Sequence, residues 1–322
     1  MKQEKSILLI GLGAIGSVLF SRLVRNDYKV VCVTSFKSSK LIRRKGIRVQ
    51  LTADVSPLLH DCEVYAELPE DYIFDNCIIS TKSWLNEVLI EDLEKWLTSE
   101  ASILLFQNGL NIEKPFLVSP KKWKITRAIT SLAALRKEKN HSVEASIGDT
   151  FIGSITHEDQ DELKRVKKLL TEIGLTVETS KNIQKDIWMK TVTNSSIGPL
   201  SAITGLTNGD VLGDTLLNKI ISSVIDEIIL VAPEEIALNY EEAYNMIKKI
   251  VSQTTNHKSS MLQDIESKTK TEISTLNGEI INLAEQKGID VPINKKLVEL
   301  VNKSIDDNFP KELAILELRS IY

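Results

Sequence analysis

The sequence predicts an α/β fold in which an N-terminal doubly wound parallel sheet of the Rossmann type is followed by an all-helical C-terminal domain. In the first half of the chain, short apolar runs alternate with segments whose apolar residues recur at helical spacing, which is typical of βαβ units. Beyond residue 180 the apolar residues recur at helical spacing almost throughout. Because 322 residues exceed what one core usually fills, two domains are expected, 1–181 and 182–322.

Continuous apolar runs predict the strands, since a strand buried on both faces needs apolar side chains on both. The predicted strands lie at residues 6–10, 29–33, 77–80 and 103–106, with further strand-like stretches at 125–135, 142–145, 150–155 and 176–178. The helices predicted between them run from about residue 15 to 26, from 84 to 97 and from 159 to 173.

The composition is that of a soluble globular protein, with 42% hydrophobic and 26% charged residues. A net charge of −4 argues against nucleic-acid binding, which favours a basic surface. The apolar run at 7–20 is broken by three glycines and is too short to span a bilayer, and the run at 220–232 contains Asp226 and Glu227. We therefore expect a cytoplasmic protein without a membrane segment. Its three cysteines show no CxxC spacing and are expected to be reduced thiols.

A glycine-rich turn directly follows the first strand and opens the first helix. It consists of Gly11, Leu12, Gly13, Ala14, Ile15 and Gly16. In such a turn the first glycine permits a tight bend, the second lets the backbone approach a pyrophosphate, and the third lets helix and strand pack closely. Backbone N–H groups at the helix N-terminus can then receive the phosphates. The position of the motif between strand and helix favours dinucleotide binding over a turn that binds nothing.

The residues after the second strand favour NADP over NAD. An NAD site usually has Asp or Glu here, hydrogen-bonded to the ribose 2′-hydroxyl. The segment 33–40 contains no acid and offers the donors Ser35 and Ser38 and the positive charges of Lys37 and Lys40. A solvated loop with two lysines is the alternative for this segment.

Further motifs, in a shared order along most of the chain, resemble the ketopantoate reductase (2-dehydropantoate 2-reductase) family of NADP-dependent enzymes of pantothenate synthesis. Besides the glycine turn they are Thr81-Lys82-Ser83, Gln107-Asn108-Gly109, Trp188-x-Lys190-x-x-x-Asn194, the run SSMLQDI at 259–265, Thr271-Glu272-Ile273, Asn277-Gly278, Gly288-Ile289 and Val291-Pro292. The resemblance implies a Rossmann domain, then a helical domain, with the active site in the cleft between them. It also implies NADPH-dependent reduction of 2-dehydropantoate to (R)-pantoate, by hydride transfer to the 2-keto carbon.

The resemblance implies catalytic roles for Lys190 and Glu272. Lys190 would be the general acid: its ammonium stabilises the charge that grows on the keto oxygen and then donates its proton. Asn194, four residues later, lies on the same helix face and is implied to bind substrate. Glu272 is implied to interact with the lysine and the substrate. An ordinary surface lysine is the structural alternative for Lys190.

Two implied site residues also fit helix caps. Thr269-x-x-Glu272 has the spacing of a capping box, and Ser260, the implied substrate-binding serine, has the spacing of an N-cap with Gln263 as its partner. An unbroken helix would separate Ser260 from Glu272 by about 18 Å. A shared site therefore requires the helix to break near residues 268–271.

The resemblance also implies roles for two residues that directly follow predicted strands. Asn108 is implied to lie near both nicotinamide and substrate, and the alternative is that Asn108-Gly109 only forms a turn. Lys82 is implied to lie near the cofactor, and the alternative is an ordinary cationic loop residue.

The sequence departs from the family's pattern at one position that matters for the substrate. Where the family usually carries a second asparagine, just before Pro-Leu, this chain has Gly198. The missing carboxamide removes a hydrogen bond of about 0.5–1.5 kcal/mol, and we expect it to open room in the pocket.

Three functions are compatible with these residues. The leading hypothesis is an NADPH-dependent ketopantoate reductase that acts on a small 2-keto acid, 2-dehydropantoate. Such a protein is expected in the cytoplasm, and a homodimer is possible. The alternative, which Gly198 keeps open, is a D-2-hydroxyacid dehydrogenase of the ketopantoate-reductase type that acts on other branched or aromatic 2-keto acids. The third is a non-catalytic nucleotide-sensing protein, against which Lys190, Asn194, Ser260 and Glu272 speak because all four are present. The four histidines show no ligand spacing, so no metal is assigned.

Overall fold

The computed structural model describes residues 6–156, 159–305 and 310–321. The chain divides into two compact units, of which the first comprises the residues up to 107 together with 112–183. The second comprises 108–111 together with the residues from 184 onward. The first unit is α/β and the second is helical, which confirms the predicted fold class. The cofactor-binding and substrate-binding roles assigned to domains 1–181 and 182–322 stay predictions.

The secondary-structure elements follow in chain order. The strands are β1 (Ser6–Ile10), β2 (Lys29–Val33), β3 (Ile47–Gln50), β4 (Leu58–His60), β5 (Glu63–Tyr65), β6 (Phe74–Ile79), β7 (Leu97–Leu105), β8 (Lys124–Thr130), β9 (Ala133–Glu138), β10 (His141–Ser146), β11 (Asp149–Ser154) and β12 (Thr176–Thr179). The helices are α1 (Ala14–Val24), α2 (Phe36–Lys45), α3 (Asn86–Trp96), α4 (Lys114–Leu117), α5 (Gln160–Glu172), α6 (Ile183–Thr204), α7 (Asn208–Gly213), α8 (Thr215–Val231), α9 (Tyr240–Gln253), α10 (Ser260–Glu266), α11 (Asn277–Lys287), α12 (Pro292–Ser304) and α13 (Lys311–Arg319).

The main sheet of the first unit has the order β12-β11-β8-β7-β6-β1-β2-β5. From β5 to β8 the strands run parallel, and β11 then pairs antiparallel with β8. The chain moves outward from β1 to β2 and β5, and then in the other direction from β6 to β7 and β8. This reversal sets the carboxyl ends of β1 and β6 side by side, which is where doubly wound sheets bind ligands.

Side chains of β1 alternate between two cores, one on each face of the sheet. Ile7 and Leu9 pack in a cluster with Leu19 and Leu23 of α1. Leu8 and Ile10 pack in another cluster, which includes Leu93 from α3. Helices therefore cover both faces of the strand, and this explains why it is apolar at every core position rather than at alternate ones.

Most predicted strands are confirmed, and β1 and β2 have the predicted bounds. The predicted helices after residues 15, 84 and 159 correspond to α1, α3 and α5. The structure adds α2, α4, β3, β4 and β5, which were not predicted from the sequence. Of these, β3 and β4 join β10 and β9 in a second sheet with the order β4-β3-β10-β9.

A buried ion pair links the second sheet to the first helix of the main sheet. Arg22 of α1 donates from Nε and Nη2 to the two carboxylate oxygens of Glu144 on β10, at 2.8 and 2.9 Å. The Thr52 backbone N–H donates to the same carboxylate at 3.0 Å. Burial acts to raise the pKa of Glu144, but the hydrogen bonds from Arg22 and Thr52 outweigh it, so that the pKa lies below its ordinary value.

Side-chain caps fix where several helices of the second unit begin. Thr207, Asp214, Asn239 and Ser259 each accept a hydrogen bond from a backbone N–H in the first turn of α7, α8, α9 and α10, respectively. Such caps satisfy N–H groups that have no partner inside the helix.

Candidate functional site

The glycine turn after β1 has the backbone that its motif requires. Gly11 has φ +98°, in the region that favours glycine, and its N–H donates to the Val33 carbonyl at 2.8 Å. A Cβ on Gly11 would lie 2.8 Å from the Thr81 backbone nitrogen. The turn therefore lies directly against the loop that follows β6, at the reversal point of the sheet.

Gly16 and Gly13 meet different surroundings. A Cβ on Gly16 would clash with the Gly11 carbonyl and the Ser80 hydroxyl, so packing within the protein already requires glycine at this position. A Cβ on Gly13, by contrast, would have no atom within 4 Å among the described residues. Gly13 is the N-cap of α1 and its backbone is extended, so its glycine is not required by strain or by protein packing. Open space at a helix N-terminus fits the pyrophosphate of a dinucleotide.

Buried amides hold the loops after β6 and β7 together. Gln107 donates to the Thr81 carbonyl at 3.0 Å and to the Asn86 side-chain oxygen at 2.8 Å. Asn86 donates back to Gln107 at 3.0 Å and to the Ile112 carbonyl at 2.9 Å. Gln107 belongs to the motif Gln107-Asn108-Gly109, for which the resemblance implied a role of Asn108 alone. This network positions the loop that carries Lys82, which is half-buried.

A buried ion pair continues this network. Arg127 on β8 donates to Glu113 at 2.6 Å and to the Gln107 carbonyl at 3.3 Å. Burial lowers the pKa of Arg127, and the charge of Glu113 opposes that change. The sequence offered no signal for this pair, since the two residues come together only when β8 forms beside β7.

The segment expected to bind the 2′-phosphate is helical rather than a loop. Ser35 is the N-cap position of α2 and donates from its hydroxyl to that of Ser38 at 3.1 Å. Ser35 and Lys37 are exposed, as is Lys40, whereas Ser38 is buried. The positive charge of the lysines and the exposed hydroxyl of Ser35 thus lie in the first turns of α2.

Helix α6 presents two polar side chains from an otherwise buried stretch. Across residues 187–203, all of which the structure describes, only Lys190 and Asn194 are not buried. They are four residues apart and lie on one face of the helix. Asp186, four residues before Lys190, is half-buried as well, so the row on this face begins with an acid. An ordinary surface lysine would lie among exposed residues, whereas every residue between Lys190 and Asn194 is buried.

Asn108 and Glu272 meet in the second unit. The Asn108 Nδ2 donates to Glu272 Oε2 at 3.3 Å. The segment 108–111 is anchored by two more bonds, from the Leu110 N–H to the Thr275 carbonyl at 3.2 Å and from Asn111 to Glu279 at 2.6 Å. Asn108 thus lies at the carboxyl end of β7, as the sequence indicates, and is grouped with the helical residues.

Neither of the two predicted caps is formed as expected. The Thr269 hydroxyl donates to the Asp264 carbonyl at 3.1 Å, and Glu272 makes no side-chain cap on the short 3₁₀ helix Ile273–Thr275. Helix α10 is capped by Ser259 and not by Ser260, because it begins one residue earlier than the capping spacing suggested. Ser260 therefore occupies the first turn of α10 with its hydroxyl unused as a cap. Its role in a site stays a prediction.

The helix break required for a shared site is present. Helix α10 ends at Glu266, and Lys268 has φ +52°. The Thr269 N–H turns back to the Asp264 carbonyl at 2.8 Å. Ser260 and Glu272 are consequently not separated by one continuous helix.

Met261 bounds the space beside Gly198. A Cβ on Gly198 would lie 3.5 Å from the Met261 Cε and 3.9 Å from its sulfur, which are ordinary van der Waals distances. Met261 is itself buried. A single methyl group would therefore fit at this position, next to the long and adaptable Met261 side chain. The expectation that Gly198 opens room in the pocket stays a prediction.

Some kinds of site are not found among the described residues. In the ranges given above, no group of three or more His, Cys, Asp or Glu side chains is arranged to hold a metal ion. His157 lies outside these ranges. Within the same part of the chain, no helix has both the length and the apolar character required to cross a membrane. Cys32, Cys62 and Cys77 are all free thiols.

The doubly wound sheet, its glycine turn and the helical second unit place the chain in the class of dinucleotide-binding Rossmann proteins with a helical domain. Two family models match it: Ketopantoate reductase PanE/ApbA over residues 7–157, and Ketopantoate reductase PanE/ApbA C terminal over residues 182–304. The chain therefore belongs to the ketopantoate reductase family of oxidoreductases.

Curated relatives agree with this assignment, and solved structures share the fold. The chain is 28% identical over 297 residues to the 2-dehydropantoate 2-reductase of Archaeoglobus fulgidus, covering 92% of this chain and 96% of that one. It is 26% identical to the enzyme of the same name from Aquifex aeolicus, covering 91% and 95%. The fold is similar to that of a PanE/ApbA family ketopantoate reductase from Ralstonia eutropha (TM-score 0.82, 23% identity, 94% and 98% covered). It is also similar to that of D-mandelate dehydrogenase bound to NADH and anilino(oxo)acetate (TM-score 0.86, 21% identity, 94% and 98% covered).

Proposed function

We propose that this protein catalyses the NADPH-dependent reduction of 2-dehydropantoate to (R)-pantoate, the reaction of pantothenate biosynthesis. The observation that carries the proposal is that Lys190 and Asn194 alone are not buried within residues 187–203 of α6. The names of the relatives at 26–28% identity support the same substrate. A cytoplasmic location and a homodimer stay predictions.

The residues of the first unit fit a dinucleotide. The turn from Gly11 to Gly16 would hold the pyrophosphate, because Gly13 leaves room for the close approach of a phosphate to the backbone. Ser35 and Lys37 would bind the ribose 2′-phosphate, and Lys82 would lie near the cofactor as a further cation. When bound, NADPH supplies the hydride. The D-mandelate dehydrogenase structure contains NADH, so the preference for NADPH rests on Ser35 and Lys37.

The side chains of the second unit would bind and protonate the keto acid. Asn194 and Ser260 offer donors for the substrate carboxylate and keto oxygen, and Asn108 is held by Glu272. The Lys190 ammonium would stabilise the negative charge that grows on the keto oxygen and then donate its proton to that oxygen. Glu272 would orient the substrate and Asn108 by accepting hydrogen bonds.

A second candidate follows from Gly198 and Met261. Residues 190, 194 and 198 form one row on α6 because they are spaced four apart. The row is polar at its first two positions, whereas Gly198 is covered by Met261. An apolar wall offers no partner to a substrate hydroxyl, so this observation favours a D-2-hydroxyacid dehydrogenase acting on branched or aromatic 2-keto acids.

Cofactor oxidation by the purified protein tests both candidates. NADPH and NADH are each followed by absorbance with 2-dehydropantoate and with 3,3-dimethyl-2-oxobutanoate, which has the same carbon skeleton but no hydroxyl. Preference for 2-dehydropantoate with NADPH supports the proposal. Preference for the compound without the hydroxyl, or for an aromatic 2-keto acid, supports the second candidate. Tight NADPH binding without turnover of any keto acid contradicts both and favours a nucleotide-sensing role.

Variants of Met261 test whether its side chain limits the size of the 2-keto acid. If Met261 limits the substrate, Met261→Ala increases kcat/KM for larger 2-keto acids relative to 3,3-dimethyl-2-oxobutanoate. Leu262→Ala is the matched control, because Leu262 is equally buried in the same helix. If the ratio of the two kcat/KM values changes equally in Met261→Ala and Leu262→Ala, the effect comes from the folding of α10 and not from the Met261 side chain beside Gly198.

A further inference from the structure

Helix α6 contains a proline, Pro199, in its interior. Proline has no backbone N–H, so the carbonyl four residues earlier lacks its helical partner. That carbonyl belongs to Ser195, which directly follows Asn194 and is fully buried. The hydrogen-bond ladder of α6 is therefore interrupted directly after Asn194, within two turns of Lys190.

A side chain from another helix takes the place of the missing N–H. Asn277, the first residue of α11, donates from Nδ2 to the Ser195 carbonyl at 3.0 Å. Asn277 has no exposed surface, although asparagine is usually found on the outside of proteins. The two residues are 82 positions apart in the chain. This bond ties the interrupted turn of α6 to the start of α11.

Asn277 is in turn held by a buried polar chain. It also donates from Nδ2 to the Asn294 side-chain oxygen at 2.9 Å, and Asn294 donates to Glu227 on α8 at 2.7 Å. Glu227 accepts two more bonds, from the backbone N–H groups of Ile293 at 2.8 Å and Asn294 at 2.9 Å. The Glu227 carboxylate thus caps the N-terminus of α12, where negative charge is favoured.

We propose that Asn277 is a positioning residue for the reaction of Lys190 and Asn194. By holding the carbonyl that Pro199 leaves unpaired, it fixes the course of α6 immediately after Asn194. The chain from Glu227 through Asn294 prevents the Asn277 amide from turning away. The inference rests on the proposed function, since it concerns the geometry of the same two side chains.

A double-mutant cycle with Pro199 tests this link. Asn277→Ala removes the donor, and kcat is expected to fall by about 10–100-fold, because small displacements of reacting groups have effects of that size. NADPH affinity should be unchanged. Pro199→Ala restores a backbone N–H at the position that bonds the Ser195 carbonyl in a regular helix. The double variant should therefore recover most of the kcat that Asn277→Ala loses, since the two changes compensate one another.

Ser201→Ala is the matched control. Ser201 is buried on the same helix, beyond the proline, and its hydroxyl donates to the Leu206 carbonyl at 2.8 Å. This variant should lower the melting temperature with little change in kcat. If Asn277→Ala merely lowers the melting temperature, as the control does, or if Pro199→Ala gives no recovery of kcat, the positioning role is wrong.

Amide hydrogen exchange separates this inference from the proposed function. Exchange in α6 around residues 194–200 should accelerate in Asn277→Ala and slow again in the double variant. A wild-type protein that turns over no keto acid would refute the proposed reaction, whereas this exchange pattern would still show that Asn277 holds α6. Unchanged exchange in Asn277→Ala would overturn the inference whether or not the protein is active.

Discussion

The Asn108 side chain donates a hydrogen bond to the Glu272 carboxylate at 3.3 Å, although 164 positions separate the two residues in the chain. Both lie in the helical unit, because the segment 108–111 is grouped with it. If this carboxylate orients the keto acid, Glu272→Ala should lower kcat/KM for that substrate by about 10–100-fold, the size expected for a hydrogen bond to a charged group. The dissociation constant of NADPH should not change.

Glu279→Ala provides the matched control for that variant. Glu279 accepts a bond from Asn111 of the same segment at 2.6 Å. A decrease in kcat/KM in Glu272→Ala alone identifies a role at the substrate. Equal decreases in the two variants would instead show that any loss of anchoring of segment 108–111 impairs the enzyme.

Lys190→Ala should lower kcat by about 10²–10⁴-fold, because the keto oxygen loses its proton donor. Cofactor binding, measured by fluorescence titration, should be retained. Lys185→Ala, on the same helix, is the control, since Lys185 forms an ion pair with Glu242 at 2.7 Å that has no part in the proposed chemistry. Unchanged turnover in Lys190→Ala would remove this lysine from the mechanism.

Ser35→Asp should weaken NADPH binding about tenfold more than NADH binding, because a carboxylate at the start of α2 repels the 2′-phosphate. Dissociation constants for both cofactors, measured by calorimetry, give this ratio. Ser35→Asn is the uncharged control and should change the ratio little. The same loss of affinity for NADPH and NADH in Ser35→Asp would mean that the 2′-phosphate binds elsewhere.

The two glycines Gly13 and Gly16 should respond differently to alanine. In Gly13→Ala the methyl group has no atom of the described residues within 4 Å beyond its own turn, so the melting temperature should be unchanged. NADPH affinity should fall by tenfold or more, because the methyl group occupies the approach of the pyrophosphate. Gly16→Ala forces a clash with the Gly11 carbonyl and should lower the melting temperature by several degrees. Full NADPH affinity in Gly13→Ala would contradict phosphate binding at this turn.

Glu144 should make stability depend on pH in the acid range. Its pKa is lowered in the folded protein, so its contribution is fully present above the unfolded value of about 4.3 and is lost as the pH falls through the folded pKa. Glu144→Gln should lower the free energy of unfolding by about 3–5 kcal/mol at pH 7, since it breaks a buried ion pair. Urea unfolding of both proteins should show this difference shrinking below about pH 4.

Glu138→Gln is the control for this pH series. Glu138 pairs with Arg48 at 2.9 Å, but its side chain is 61% exposed. Exposed pairs contribute little, so the free energy of unfolding should change by less than about 1 kcal/mol. A difference between wild type and Glu144→Gln that stays constant down to pH 3 would show that the Glu144 charge is not what stabilises the second sheet.

Elements with a strong local pattern were predictable, and those formed by distant partners were not. Strands β1 and β2 are continuous apolar runs, and their bounds were predicted correctly. Helix α2 escaped prediction because it has only Phe36, Leu41 and Ile42 as apolar residues among ten, and it is Ile42 that packs into the core. Strand β3 pairs with β10, more than 90 residues later, and nothing in a local pattern indicates that pairing.

The sequence by itself determined the fold class, the glycine turn and the row of Lys190 and Asn194, because each follows from the period of a strand or helix or from a short motif. The tertiary structure alone decided which glycines are free to face a ligand, that Met261 covers Gly198, and that Ser259 rather than Ser260 caps α10. It also decided that Asn277 satisfies the carbonyl left by Pro199. Apart from the Ser259 cap, which is a local contact with the Leu262 N–H, these contacts join residues far apart in the chain. They arise from the packing of whole elements and leave no periodic trace in the residues that make them.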